Sequence, residues 1–137
     1  MQDLLFIFKE KRAALEECIE DYTAPIFIVG VVGDFNDSNS VTTLSATIPK
    51  EELIIRNNKY PDWLYKVFQN SLNGDSILYI KDFQDISQEE QKLFIDIICE
   101  NSISSEELPE NLKIIINSKY ECPIIPEIRE VVQYFKF

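Results

Sequence analysis

The sequence predicts an α/β domain, a mainly parallel sheet with helices on both faces. Three observations carry this expectation. Short apolar runs recur at residues 26–32, 76–80 and 112–116, stretches of helical spacing stand between them, and no repeat, low-complexity tract or Gly/Ser-rich linker divides residues 1–137. A single domain of this length can bury roughly two-thirds of its unfolded surface, and 45% hydrophobic residues supply a core.

Leu4, Phe8, Leu15, Ile19 and Tyr22 recur near helical spacing, so 3–22 reads as an amphipathic helix. Pro25 follows, and Ile26 to Val32 reads as a buried strand. Gly33 to Ser40 is rich in turn formers. Val41 to Ile48, rich in Thr and Val, predicts a second strand. Pro61-Asp62 opens a helix with Leu64, Tyr65, Phe68 and Leu72 on one side, stopping at Asn73-Gly74. Ser76 to Ile80 is a strand by composition. Ser87-Gln88-Glu89-Glu90 has the form of a capping box, in which Ser87 and Glu90 each satisfy a free N–H at a helix start. That helix runs to about Glu100 and buries Leu93, Phe94, Ile97 and Ile98. An acidic turn, Glu106 to Glu110, precedes a strand at Leu112–Ile116, and Val131 to Phe137 reads as a closing strand.

Charge narrows the function classes. Thirteen Lys+Arg against 24 Asp+Glu leave a net charge of −11, which repels nucleic-acid backbones and anionic membranes. The chain has no His, which removes His-based triads, zinc sites and acid–base catalysis. Cys18, Cys99 and Cys122 form no C-x-x-C pair; Cys18 and Cys99 lie among apolar helical positions and read as small core residues of a reducing compartment. Lys9 to Arg12 break the first apolar run, so neither a signal peptide nor a spanning helix is expected, and a cytoplasmic location follows as the default.

Four pieces then carry a family resemblance: Pro61-Asp62-Trp63-Leu64, the strand Ile77-Leu78-Tyr79-Ile80-Lys81-Asp82, Gln91, and Leu108-Pro109-Glu110-Asn111-Leu112-Lys113-Ile114-Ile115. In order and spacing, the stretch from Tyr60 onward resembles the AAA+ ATPases, in particular the MoxR- and dynein-related group. The resemblance implies a P-loop NTPase-like fold without the family's helical lid. It also implies where ATP chemistry should sit, and there the sequence departs from the pattern. A phosphate loop has the form G-x-x-x-x-G-K-[ST]. The matching stretch runs from Gly30 through Gly33 and Asp34 to Phe35, Asn36 and Asp37, so Phe35 replaces the second Gly, Asn36 the Lys and Asp37 the Ser/Thr. With Gln91 fixing the register, the family's metal-binding Asp-Glu pair falls on Lys81 and Asp82; shifted by one, Asp82 takes the metal position and Phe83 the base position. The polar residue expected after the third strand is Asn117 or Lys119, and Arg129 is the only late Arg. The expectation is a degenerate domain with no ATP hydrolysis and no cofactor.

Asp34, Asp37, Asp82 and Asp85 could converge at the strand carboxyl ends; a hard-cation site there competes with the simpler reading of solvated turn residues. Trp63, Tyr60, Tyr65 and Phe68 gather on one helix and read as core before interface. The acidic runs, among them Glu106, Glu107 and Glu110, exceed what solubility requires. They would speed association with a basic protein partner. The candidate partner-binding set is therefore Asp34, Asp37, Asp82, Asp85, Glu106, Glu107 and Glu110, and the expected role is that of a non-enzymatic binding domain. One form is an immunity or inhibitor protein acting on a toxin nuclease. The alternative is a nucleotide-binding regulatory protein, or an inactive subunit of an AAA+ assembly.

Overall fold

The computed structural model describes residues 24–31 and 40–136. Five strands, β1 (Ile26–Val29), β2 (Val41–Ser45), β3 (Ser76–Lys81), β6 (Leu112–Ser118) and β7 (Gln133–Lys136), form one sheet in the order β2-β3-β6-β1-β7. Every pairing in it is parallel. Parallel neighbours need crossover connections. Helices fill these: α1 (Asp62–Leu72) joins β2 to β3, and the segment from α2 (Gln88–Gln91) to α3 (Ile95–Cys99) lies between β3 and β6. A short α4 (Pro126–Arg129) precedes β7. Two more strands, β4 (Ser102–Ile103) and β5 (Glu106–Glu107), form a separate antiparallel hairpin.

The sheet's two faces carry different cores. Phe27, Leu78, Ile80, Ile114 and Ile116 point to one face and pack with Trp63, Leu64 and Val67 of α1, Ile97 and Ile98 of α3, and Ile128 of α4. On the other face Ile26, Ile28, Val41, Tyr79 and Ile115 form a second buried cluster. Among the described residues all the helices lie on the first face. The expected helix over 3–22, which would supply the second layer, lies outside the described residues, as does Cys18.

The α/β class and the parallel sheet agree with the sequence expectation, and the differences are local. β1 stops at Val29 because Gly30 turns the chain at φ 134°, leaving Val31 exposed. β2 stops at Ser45, and Ala46–Ile48 is a turn closed by Ile48 N–H to Ser45 O. On α1 the buried stripe is Trp63, Leu64 and Val67; Tyr65 and Leu72 face solvent at 58% and 87% exposure. The capping box at Ser87 and Glu90 forms, with both reciprocal bonds at 3.1 Å. The helix after it is not continuous. A 3₁₀ turn, Lys92–Phe94, interrupts it, and Leu93, expected in the core, is 46% exposed. Glu106-Glu107 is a strand rather than part of a turn.

Candidate functional site

In open α/β sheets the crevice for ligands lies beyond the strand carboxyl ends, where connections leave in opposite directions. Here that point is β1: its chain departs toward β2, while the chain from β6 crosses to β7 on β1's other side. The three positions singled out by the ATPase resemblance, after β1, after β3 and at the end of β6, fall on this one edge.

Backbone geometry fixes each in turn. Gly30 ends β1 and its N–H donates to Ser118 O at 2.8 Å; its φ of 134° is a conformation other residues rarely adopt. Lys81 ends β3, half-buried, and its carbonyl accepts from Ala46 N–H at 2.8 Å. Asp82 follows in the left-handed region at φ 62°, where Asp is among the few tolerated side chains. Its carboxylate accepts from Ser45 Oγ at 3.4 Å and stands 4.0 Å from Lys119 Nζ. Lys119 N–H donates to Gln84 Oε1 at 3.1 Å, linking the turn after β3 to the end of β6. Asn117 is buried, and its side-chain amide donates to the carbonyls of Ile28 and Gly30, each at 3.1 Å.

In the register that the ATPase resemblance implies, Lys81 takes the place of a metal carboxylate; Asp82 faces a hydroxyl and an ammonium, and the Asn117 amide donates to β1's own backbone. No three His, Cys, Asp or Glu side chains gather to hold a metal among the described residues. Gly33, Asp34, Phe35, Asn36 and Asp37 lie outside the described residues. The described charges on this edge are balanced: Lys81, Lys119 and Lys136 against Asp82, Asp85 and Glu121, with Lys136 and Glu121 paired at 2.7 Å. That contact holds the Lys136 ammonium above its ordinary pKa.

The other quoted residues of the resemblance perform structural work. Trp63 is buried and donates from Nε1 to Glu52 O at 2.5 Å. Gln91 is buried and clamps the segment before α4 at both amide ends, donating to Pro123 O at 2.7 Å and accepting from Ile125 N–H at 2.9 Å. Asn111 donates to Ser71 O at 2.9 Å and Gly74 O at 2.8 Å, bracing the end of α1. Arg129 sits 4.2 Å over the Tyr134 ring, which stacks on Phe27. Cys99 is half-buried against the core; burial and then Glu100, Glu127 and Asp96 push its thiol up, which disfavours the thiolate.

Among the described residues, the candidate partner-binding set does not converge. Asp82 and Asp85 follow β3 at the carboxyl edge, whereas Glu110 precedes β6 at the opposite, amino edge. With six residues in β3, the two groups stand about 20 Å apart. Glu106 accepts a hydrogen bond from the Tyr60 hydroxyl, and Glu107 is exposed beside it. The amino end is where acid accumulates. Asp75 precedes β3, Glu110 precedes β6, Glu130 precedes β7, and Glu100, Glu107 and Glu127 lie close by, all exposed. The sequence carried this signal, since a residue just before a parallel strand and one just after it must lie at opposite ends.

No helix among the described residues is long and apolar enough to cross a membrane. No protein-family model matches the chain, and no curated protein matches it.

Proposed function

We propose that this chain is a non-enzymatic protein-binding domain, a degenerate AAA+-like scaffold that presents its acidic amino end to a basic partner. An immunity or inhibitor protein covering the cationic active site of a nuclease toxin is the concrete form. The acidic end, six exposed carboxylates around Glu107 and Glu110, carries the reading. Such a surface accelerates encounter with a cationic protein and penalises anionic competitors. The state of the quoted motif residues supports it as well. Trp63, Gln91 and Asn111, which hold the framework, are in place, whereas the ATP-handling positions are substituted or engaged in internal bonds.

The test is affinity capture with the tagged chain at low salt, followed by charge neutralisation. A basic partner should be recovered, lost at high salt, and lost from Glu107→Gln/Glu110→Gln/Glu130→Gln but retained by Asp82→Asn/Asp85→Asn. Recovery of no basic protein at low salt sinks the proposal.

A second reading, residual nucleotide binding in a regulatory protein or an inactive AAA+ subunit, is favoured by the crevice at β1 and the turn at Gly30. It requires a saturable rise in melting temperature with millimolar ATP or ADP, with or without Mg²⁺. Its absence removes this reading and leaves the first intact.

A further inference from the structure

Asn73-Gly74 is the one Asn-Gly pair in the chain, and it forms the exposed turn between α1 and β3. Asn73 caps the helix at φ −94° and ψ −5°, its N–H donating to Asn70 O at 3.1 Å. Gly74 follows at φ 138°, and a Cβ built on it would meet nothing within 4 Å. The Gly74 nitrogen thus has no side chain of its own to shield it, and the space beside it is open.

Asn is among the thermolabile residues, and the turn leaves this one free to react. Among the described residues the Asn73 side-chain amide makes no hydrogen bond. The amides of Asn70, Asn101, Asn111 and Asn117 all donate to protein oxygens. Asn57 and Asn58 are followed by Asn and Lys, whose side chains shield the next backbone nitrogen. One contact restrains the turn. Asn111 Nδ2 donates to Ser71 O at 2.9 Å and to Gly74 O at 2.8 Å, pinning the chain on both sides of Asn73. The same bonds set the turn beside Glu110, at the acidic amino end, with Asp75 next in sequence.

We infer that Asn73 is a site of spontaneous deamidation, with Asn111 as its brake. Rotation of ψ at Asn73 away from −5° brings the Gly74 nitrogen against the side-chain Cγ. The nitrogen gives its proton to hydroxide and bonds Cγ. The Cγ–Nδ2 bond breaks, and ammonia leaves with a proton from water, which returns the hydroxide; a five-membered succinimide remains. Water then opens the ring at either carbonyl. Cleavage at Cγ leaves Asp, and cleavage at the main-chain carbon leaves isoaspartate, whose backbone runs through Cβ. Water enters, ammonia departs and nothing is oxidised. The rotation drags Gly74 O away from Asn111, so that bond slows ring closure. Either product adds one carboxylate to the amino end. The inference does not rest on the basic partner proposed for that end, so either can fail alone.

The test incubates the folded full chain at neutral and mildly alkaline pH and follows each Asn by peptide mapping and mass spectrometry. An isoaspartyl methyltransferase counts the isoaspartate formed. Asn73 should convert at least tenfold faster than Asn70, Asn101 or Asn117, each of which precedes Ser. It should yield isoaspartate as well as Asp, faster at the higher pH, and Asn73→Gln should abolish the methyltransferase signal. A synthetic peptide spanning residues 70–76, which lacks Asn111, should convert at least threefold faster than the folded chain. Asn111→Ala should close most of that gap while Asn101 and Asn117 keep their wild-type rates. Asp without isoaspartate at position 73, earlier conversion at Asn70, Asn101 or Asn117, or a folded chain as fast as the peptide would overturn the inference.

Discussion

The Asn117 side-chain amide donates to the Gly30 carbonyl at 3.1 Å, across the seam between β6 and β1. With its second bond, to Ile28 O, it stitches the end of the central strand to its neighbour. Removing a buried donor that serves two carbonyls costs about 1–3 kcal/mol. Asn117→Ala should lower stability by that amount, read as a shifted urea midpoint with unchanged slope. Asn117→Asp should cost more, because a carboxylate would then face two carbonyl oxygens.

Gln91 makes the same kind of cross-chain tie. Its side-chain amide bonds both Pro123 O and Ile125 N–H, so Gln91→Leu removes both bonds while keeping the volume. The expected loss is about 2–4 kcal/mol, the cost of two unsatisfied backbone groups. Hydrogen exchange should show the 123–132 segment opening first. A melting temperature equal to wild type would contradict the clamp.

The Tyr60 hydroxyl donates to Glu106, and that bond, with burial and the carboxylate's charge, raises the phenol above its usual pKa of 10. A proton held more tightly in the folded state than in the unfolded one stabilises fully below pH 10. That stability is lost as pH rises through the folded pKa. Lys136, raised by Glu121, acts in the same direction. Melting temperature should therefore fall as pH rises above about 10, and the fall should be shallower in Tyr60→Phe. Parallel curves for the two proteins would refute this linkage.

Ser105 holds φ 70° in the β4–β5 turn, a conformation suited to Gly or Asn. Ser105→Gly should raise stability by about 0.5–1 kcal/mol by relieving that strain. Ser104→Gly should gain less or lose stability, because the Ser104 hydroxyl accepts the Ile55 N–H. Differential scanning of the two variants separates these outcomes.

The strands of the sheet were legible because Ile26–Val29, Ser76–Ile80 and Leu112–Ile116 are apolar runs of strand length. The capping box at Ser87 was legible because its chemistry is local. The hairpin around Ser104-Ser105 was not, since it lacks the Asn-Gly or Asp-Gly signal of such turns. Leu93 was misplaced because a 3₁₀ turn shifts the helical phase, and no residue in Lys92–Phe94 announces one. At the candidate site, the positions of Lys81 and Asp82 at the end of β3 followed from the sequence. The left-handed backbone of Asp82 and the inward use of the Asn117 amide depend on contacts between strands distant in the chain.

That distance has a consequence for how the molecule forms. β1 lies between β6 and β7, whose partner residues come about 90 and about 110 positions later. The Ile-Phe-Ile-Val run therefore emerges from the ribosome with neither neighbour made, and it stays unpaired through most of synthesis. Until residues 112–136 arrive, β1 lacks both of its neighbours and exposes a sticky edge. Premature chain termination should accordingly yield aggregates rather than partly folded fragments, and holdase chaperones should be needed for good expression.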